Sequence, residues 1–258
     1  VKEPIAIKRI APPSVEDFYR DYVKPARPVV ITGLIKDWPA ATLWNMDYFA
    51  QNFGHVNAEV YKLKGDKCEV NTDKGSVTEP VPLRDCIASI NAGKLDGGWT
   101  IASPVNLFPE VLQKDYKAPV YCADGKFLRS VAFLGPPGAV SPLHQDLPEN
   151  IYVLVKGKKR ITIFSPLDSV YPNSRFSKLP NHSQIDAEKP DYNLFPRLKD
   201  AQPYIVDLEA GETLFIPSLW WHHLRNLDTS IALNFWWSQG WKLPVAWAAA
   251  MYKKYRKI

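Results

Sequence analysis

A chain of 258 residues with 46% apolar and 23% charged residues has the balance of an ordinary globular protein with a substantial core, which excludes wholesale disorder. No apolar run approaches the roughly 20 residues that a bilayer-crossing helix needs, and the opening Val1-Lys2-Glu3-Pro4 lacks a signal-peptide core, so neither membrane insertion nor export is expected. The net charge of +5 comes largely from Lys253, Lys254, Arg256 and Lys257, read as a solvated tail and not a nucleic-acid surface. Three cysteines, Cys68, Cys86 and Cys122, without a CxxC pair fit free thiols in a reducing compartment, the cytoplasm or a eukaryotic nucleus.

In chain order, Ser14 to Val23 offers a capping serine, acids in the first turn and apolar residues at helical spacing, which predicts a helix. Pro28 to Gly33 is a short buried strand closed by a turn. Trp44 to Phe53 predicts a second helix stopped by Gly54, and Val56 to Leu63 alternates as a strand does. The polar stretch from Gly65 to Thr78 is expected to be an exposed loop or hairpin. A helix over Leu83 to Asn91, a strand over Trp99 to Ala102 and a short helix over Phe108 to Lys114 follow.

From Ser130 the pattern changes to short strands: Val131 to Leu134, Ser141 to His144, Asn150 to Val155, Arg160 to Phe164, Tyr204 to Leu208, Thr213 to Ile216, His223 to Asn226 and Ile231 to Trp237. Turn sequences such as Lys156-Gly157-Lys158-Lys159 separate them. The fold class is therefore mainly β with flanking helices, and a cupin-type jelly roll is the natural architecture. One domain is expected over 1–258, with N-terminal support in 1–129 and the strand-rich core in 130–238. An excursion at 165–202, rich in Pro, Asn and Asp, is expected to lie over a site. An amphipathic helix is expected over 241–258, packing on its own domain or joining a homodimer.

Residues two apart in a strand share a face, so His144 and Asp146 can reach one ion. Alone, a His-x-Asp is more often structural than metal-binding. A later imidazole, His222 or its neighbour His223, completes two nitrogens and a carboxylate, the donor set of non-haem Fe(II) oxygenases; structural zinc sites usually recruit thiolates. Neighbours in a strand point apart, so only one of that pair can be a ligand. Each of Trp220, Trp221, Trp236 and Trp237 is read as core before substrate wall, and Tyr152 fits either role.

The run Ser141-Pro142-Leu143-His144-Gln145-Asp146, with Asn150, Lys156-Gly157-Lys158-Lys159-Arg160, Gly211-Glu212-Thr213-Leu214-Phe215-Ile216-Pro217, Trp221-His222 and Asn234-Phe235-Trp236, resembles the JmjC (cupin-like) 2-oxoglutarate oxygenases. It looks most like their small protein hydroxylases, the arginyl and asparaginyl subgroups; Ser183-Gln184-Ile185-Asp186 and Phe195-Pro196 are similar to the arginyl one. The resemblance implies Fe(II) with 2-oxoglutarate and O2, and His144, Asp146 and His222 as both metal ligands and catalytic residues. It also implies that Lys159 and Ser141 bind the cosubstrate's C5 carboxylate, with Asn150 and Asn234 near its metal-bound end. The family adds a Tyr where this chain reads Gly97-Gly98-Trp99-Thr100-Ile101-Ala102, so Thr100 or another residue is expected to substitute for it. Without the resemblance, Lys159 reads as a solvated turn lysine.

The expected function is an Fe(II)- and 2-oxoglutarate-dependent hydroxylase of an Arg, Asn or His side chain in a protein or peptide. Rival readings keep the chemistry on a small molecule or RNA base, or make the chain a JmjC-type lysine demethylase; such demethylases commonly carry HxE and reader domains. A cupin isomerase or dioxygenase would have no need of Lys159. A cupin-like binding module without turnover would be expected to lack part of the set.

Overall fold

A computed structural model describes residues 2–71, 75–76, 78–123 and 126–238. Eight strands build its centre: β1 (Lys126–Gly135), β2 (Val140–Gln145), β3 (Glu149–Lys156), β4 (Lys158–Phe164), β5 (Tyr204–Glu209), β6 (Glu212–Ile216), β7 (Trp221–Asn226) and β8 (Ser230–Ser238). They pair antiparallel in the orders β1-β8-β3-β6 and β2-β7-β4-β5, the jelly roll expected from their spacing.

The N-terminal segment extends and closes this frame. Val29–Thr32 adds to β6, and Trp99–Pro104 adds to β1. Asn57–Lys64 pairs with Trp99–Pro104 and turns into the short strand Lys67–Cys68, whose Lys67 pairs in parallel with Val140 of β2. This strip joins the two sheets along one side and turns Glu59, Tyr61 and Cys68 toward the interior cavity. Of the loop or hairpin expected over Gly65 to Thr78, the structure takes the hairpin form, with Leu63–Lys64 pairing antiparallel with Lys67–Cys68, and this turn contributes a wall of the barrel.

Apolar alternation assigns the strand faces. Ile151, Val153, Phe235 and Trp237 point outward into a core beneath the helices that includes Phe18, Trp44, Phe49 and Phe53. Tyr152, Leu154, Ile161, Ile163, Leu214 and Leu224 fill the inside. The excursion forms a third cluster, in which Val170, Ile185, Phe195 and Leu198 pack on Leu143 and Trp221. Both faces of β3 are covered, which explains its unbroken apolar run from Ile151 to Val155.

Ser14 caps the helix Val15–Phe18, its Oγ accepting from the Asp17 amide, and the chain then widens into a π-helical turn over Tyr19–Val23. Asn45 caps Met46–Phe53, so that helix begins after Trp44. A separate short helix, Pro39–Leu43, precedes it with proline in the first turn and did not stand out in the pattern. Leu83–Asn91 is helical as expected, whereas the predicted 108–114 helix spans only Glu110–Gln113. The predicted helix over 241–258, and with it the dimer contact, lies outside the described residues. No helix among the described residues is long and apolar enough to cross a membrane.

Candidate metal centre

His144 on β2 and His222 on β7 are direct cross-strand partners, and their ring centroids lie 4.2 Å apart. Asp146 follows the last residue of β2, and its carbonyl accepts a 2.8 Å bond from the Leu219 amide, which ties it to the turn entering β7. Ligand atoms of the three side chains lie within 4.8 Å of one another. They form the only such group of three His, Cys, Asp or Glu among the described residues.

The orientation of each ring is fixed by its own strand. His144 Nδ1 lies 2.7 Å from the Pro142 carbonyl and His222 Nδ1 lies 2.9 Å from the Trp220 carbonyl. A carbonyl only accepts, so each Nδ1 carries the proton and each Nε2 keeps a lone pair for the centre. Burial, reinforced by His144 and opposed by Asp146, holds His222 down at about 4, so its imidazole is neutral near pH 7. Trp236 Nε1 donates to Asp146 Oδ2 at 3.1 Å. This donor chemistry fits a divalent metal: two imidazoles anchored through Nδ1 and a held carboxylate, with no thiolate in the group.

His223 points to the other face of β7. It is buried, lies within electrostatic reach of Glu188, Asp186, Arg225 and Lys67, and its Nε2 has no hydrogen-bond partner. Register therefore separates the adjacent histidines, with His222 facing the centre.

A cavity of about 610 Å³ opens beside the trio, and its lining includes His144, Asp146, Ser141, Lys159 and Thr100. Lys159 is not a solvated turn lysine: it is 6% exposed, and its Nζ lies 5.4 Å from the Tyr152 ring centroid. Gly157 makes this possible. Its φ of +84° turns β3 into β4 so that the second residue beyond it faces inward. Burial pushes the Lys159 ammonium down to about 8, with the nearby Cys68 thiol acting in the opposite direction. Thr100 lines the same cavity, but its Oγ1 donates to the Leu134 carbonyl at 3.0 Å.

His222, Asn150 and Asn234 sit behind the cavity surface, not on it. Asn150 is the cross-strand partner of Trp236, and Asn234 that of Tyr152, so the four side chains share the inner face of β3 and β8. Both Asn Oδ1 atoms and the Tyr152 hydroxyl are buried without hydrogen-bond partners. Unpartnered buried polar atoms are costly, so this patch is suited to a polar guest. Trp236 reaches the cavity, whereas Trp220, Trp221 and Trp237 pack in the core clusters.

Sequence reading alone did not single out Tyr61, Cys68, Asn226, His182 or Glu59, all of which line the cavity. Tyr61 is the cross-strand partner of Thr100, so a phenol stands beside the position where one was expected. Two residues of the excursion, Asn181 and His182, lie beside the centre. Asn181 brackets Gln145 with bonds of 2.9 and 3.1 Å, and the His182 ring stacks on His144 at 5.3 Å.

Residues 15–242 match the family described as a cupin-like domain. The chain is 34% identical over 241 residues to the Xenopus tropicalis protein named lysine-specific demethylase 8, covering 90% of this chain and 53% of that one. It is 26% identical over 284 residues to the human bifunctional peptidase and (3S)-lysyl hydroxylase JMJD7, covering 95% and 88%. It is 28% identical over 240 residues to the Gallus gallus tRNA wybutosine-synthesizing protein 5, covering 86% and 74%. The chain spans about half the length of the demethylase-named relatives it matches.

Proposed function

Because the chain belongs to the cupin-like JmjC oxygenase family, whose members use Fe(II) and 2-oxoglutarate, we propose that it is a hydroxylase acting on a cationic side chain, arginine or lysine, of a protein or peptide. The observation that carries the reading is one cavity lined both by the metal-type donors His144 and Asp146 and by the buried ammonium of Lys159. A cupin that used a metal alone would have no use for that buried cation.

In this reading His144, Asp146 and His222 hold Fe(II). The metal and 2-oxoglutarate supply the oxidising chemistry with O2, and the protein supplies position and exclusion of water. Lys159 meets the C5 carboxylate as a buried counter-charge and Ser141 adds a hydroxyl. Tyr61, opposite Thr100, takes the place of the phenol missing from the Trp99 strand. Asn150 and Asn234 provide buried amides near the metal-bound end of the cosubstrate. His182 and Asn181 cover the centre from the excursion side.

Glu59 supports the choice of substrate. It lines the cavity two residues from Tyr61 on the same face of its strand, and no ion pair engages it among the described residues. A half-buried carboxylate facing the cavity suits a guanidinium or ammonium group better than a neutral amide. The test compares peptides that differ only in a central Arg, Lys, Asn or His, read by mass spectrometry for a gain of one oxygen. Arg or Lys peptides should react, and Glu59→Gln should raise their KM at least about tenfold, the loss of roughly 1.4 kcal/mol of charge pairing. Preferential oxidation of the Asn peptide, unaffected by Glu59→Gln, would overturn this choice.

A further inference from the structure

Cys86 and Cys122 are buried in the core beneath the N-terminal helices. Cys68 differs: it lines the cavity on the strip that bridges the two sheets. Its free thiol lies against the Ser141 hydroxyl and within electrostatic reach of Lys159. Lys159 is itself 94% buried, and among the described residues no carboxylate pairs with it. An enclosed cation without a counter-ion is a site for an anion, and here a sulfur nucleophile stands beside it.

We propose that Cys68 is a covalent modification site for small carboxylate-bearing electrophiles, which Lys159 draws into the cavity next to the thiol. With iodoacetate as the probe, the Sγ–C bond forms as the C–I bond breaks; iodide leaves and the thiol proton passes to water. Burial holds the Cys68 thiol high, at about 12, so the selectivity comes from local concentration of the anion and not from a ready thiolate. A neutral reagent of the same size, iodoacetamide, lacks that attraction.

The experiment treats the full chain with iodoacetate or iodoacetamide and follows each cysteine by peptide mass spectrometry, with rates normalised to those of a small free thiol. Cys68 should be labelled before Cys86 and Cys122, and iodoacetate should have about a tenfold normalised advantage, a modest share of the charge interaction available at such a site. Lys159→Met should abolish that advantage and Lys159→Arg should keep it, with thermal melts showing that both variants are folded. Equal normalised rates for the two reagents, or earlier labelling of Cys86 or Cys122, would overturn the proposal. Only the protection arm rests on the proposed function: excess 2-oxoglutarate should slow labelling of Cys68. Lys159-dependent labelling without protection would leave the modification site standing and remove Lys159 from the cosubstrate site.

Discussion

Replacing Lys159 by Met should move two properties in opposite directions. In the ligand-free protein, burial lowers this ammonium from its ordinary 10.5 to about 8, an imposed cost of about 3 kcal/mol near neutral pH. Methionine fills a similar volume without the charge, so the ligand-free variant should be more stable by up to that amount, a rise of several degrees in Tm. The unfolded chain keeps its lysine protonated up to about 10.5 while the folded one releases the proton near 8, so native stability should climb with pH across that window. The climb should be weaker in the variant. Cosubstrate binding should do the reverse: removing one member of a buried charge pair costs roughly 2–4 kcal/mol, weakening 2-oxoglutarate by about 30- to 1000-fold. In the native protein that affinity should be full below about pH 8 and decline above it. Calorimetric titration and thermal melts read both effects. A variant that binds 2-oxoglutarate as the native chain does would refute the role given to Lys159, whatever its stability.

Trp236→Phe keeps an aromatic wall but removes the 3.1 Å bond to Asp146, and should weaken Fe(II) binding about 10- to 100-fold in anaerobic titration. Metal-free protein should lose stability on acidification, because His222 and His223 are held neutral to about 4 by burial whereas their unfolded forms take up protons from about 6.5 downward. Each contributes up to about 2 kcal/mol of loss by about pH 5, checked by urea unfolding at two pH values. Gly157→Ala should destabilise by about 2 kcal/mol or more, since φ is +84° and an added Cβ would run into the Thr229 carbonyl, and it should also weaken 2-oxoglutarate by displacing Lys159.

The core strands were legible because each carries a local signature, alternation or an apolar run ended by a turn such as Glu209-Ala210-Gly211-Glu212. The trio was legible as a set of residue types, but the choice between His222 and His223 depends on strand register, and only the pairing with His144 places His222 inward. Lys159 alone looked like a surface lysine; its burial follows from Gly157 and from the closure of β4 against β5 and β7. Tyr61 and Cys68 gave no local signal. They reach the cavity because Lys67 pairs with Val140, more than seventy residues away in sequence, a contact that no periodicity encodes. His182 arrived by the same kind of long return, as the excursion docks along β2.

The most direct measurement of the central claim is a single incubation of the chain with Fe(II), 2-oxoglutarate, O2 and an arginine- or lysine-bearing peptide, followed by mass spectrometry of both products. Succinate and a peptide one oxygen heavier should form in equal amounts, and neither product should form with His222→Ala or Asp146→Ala protein that remains folded. Succinate formation that no peptide stimulates, or peptide oxidation that survives loss of either ligand, would contradict that claim.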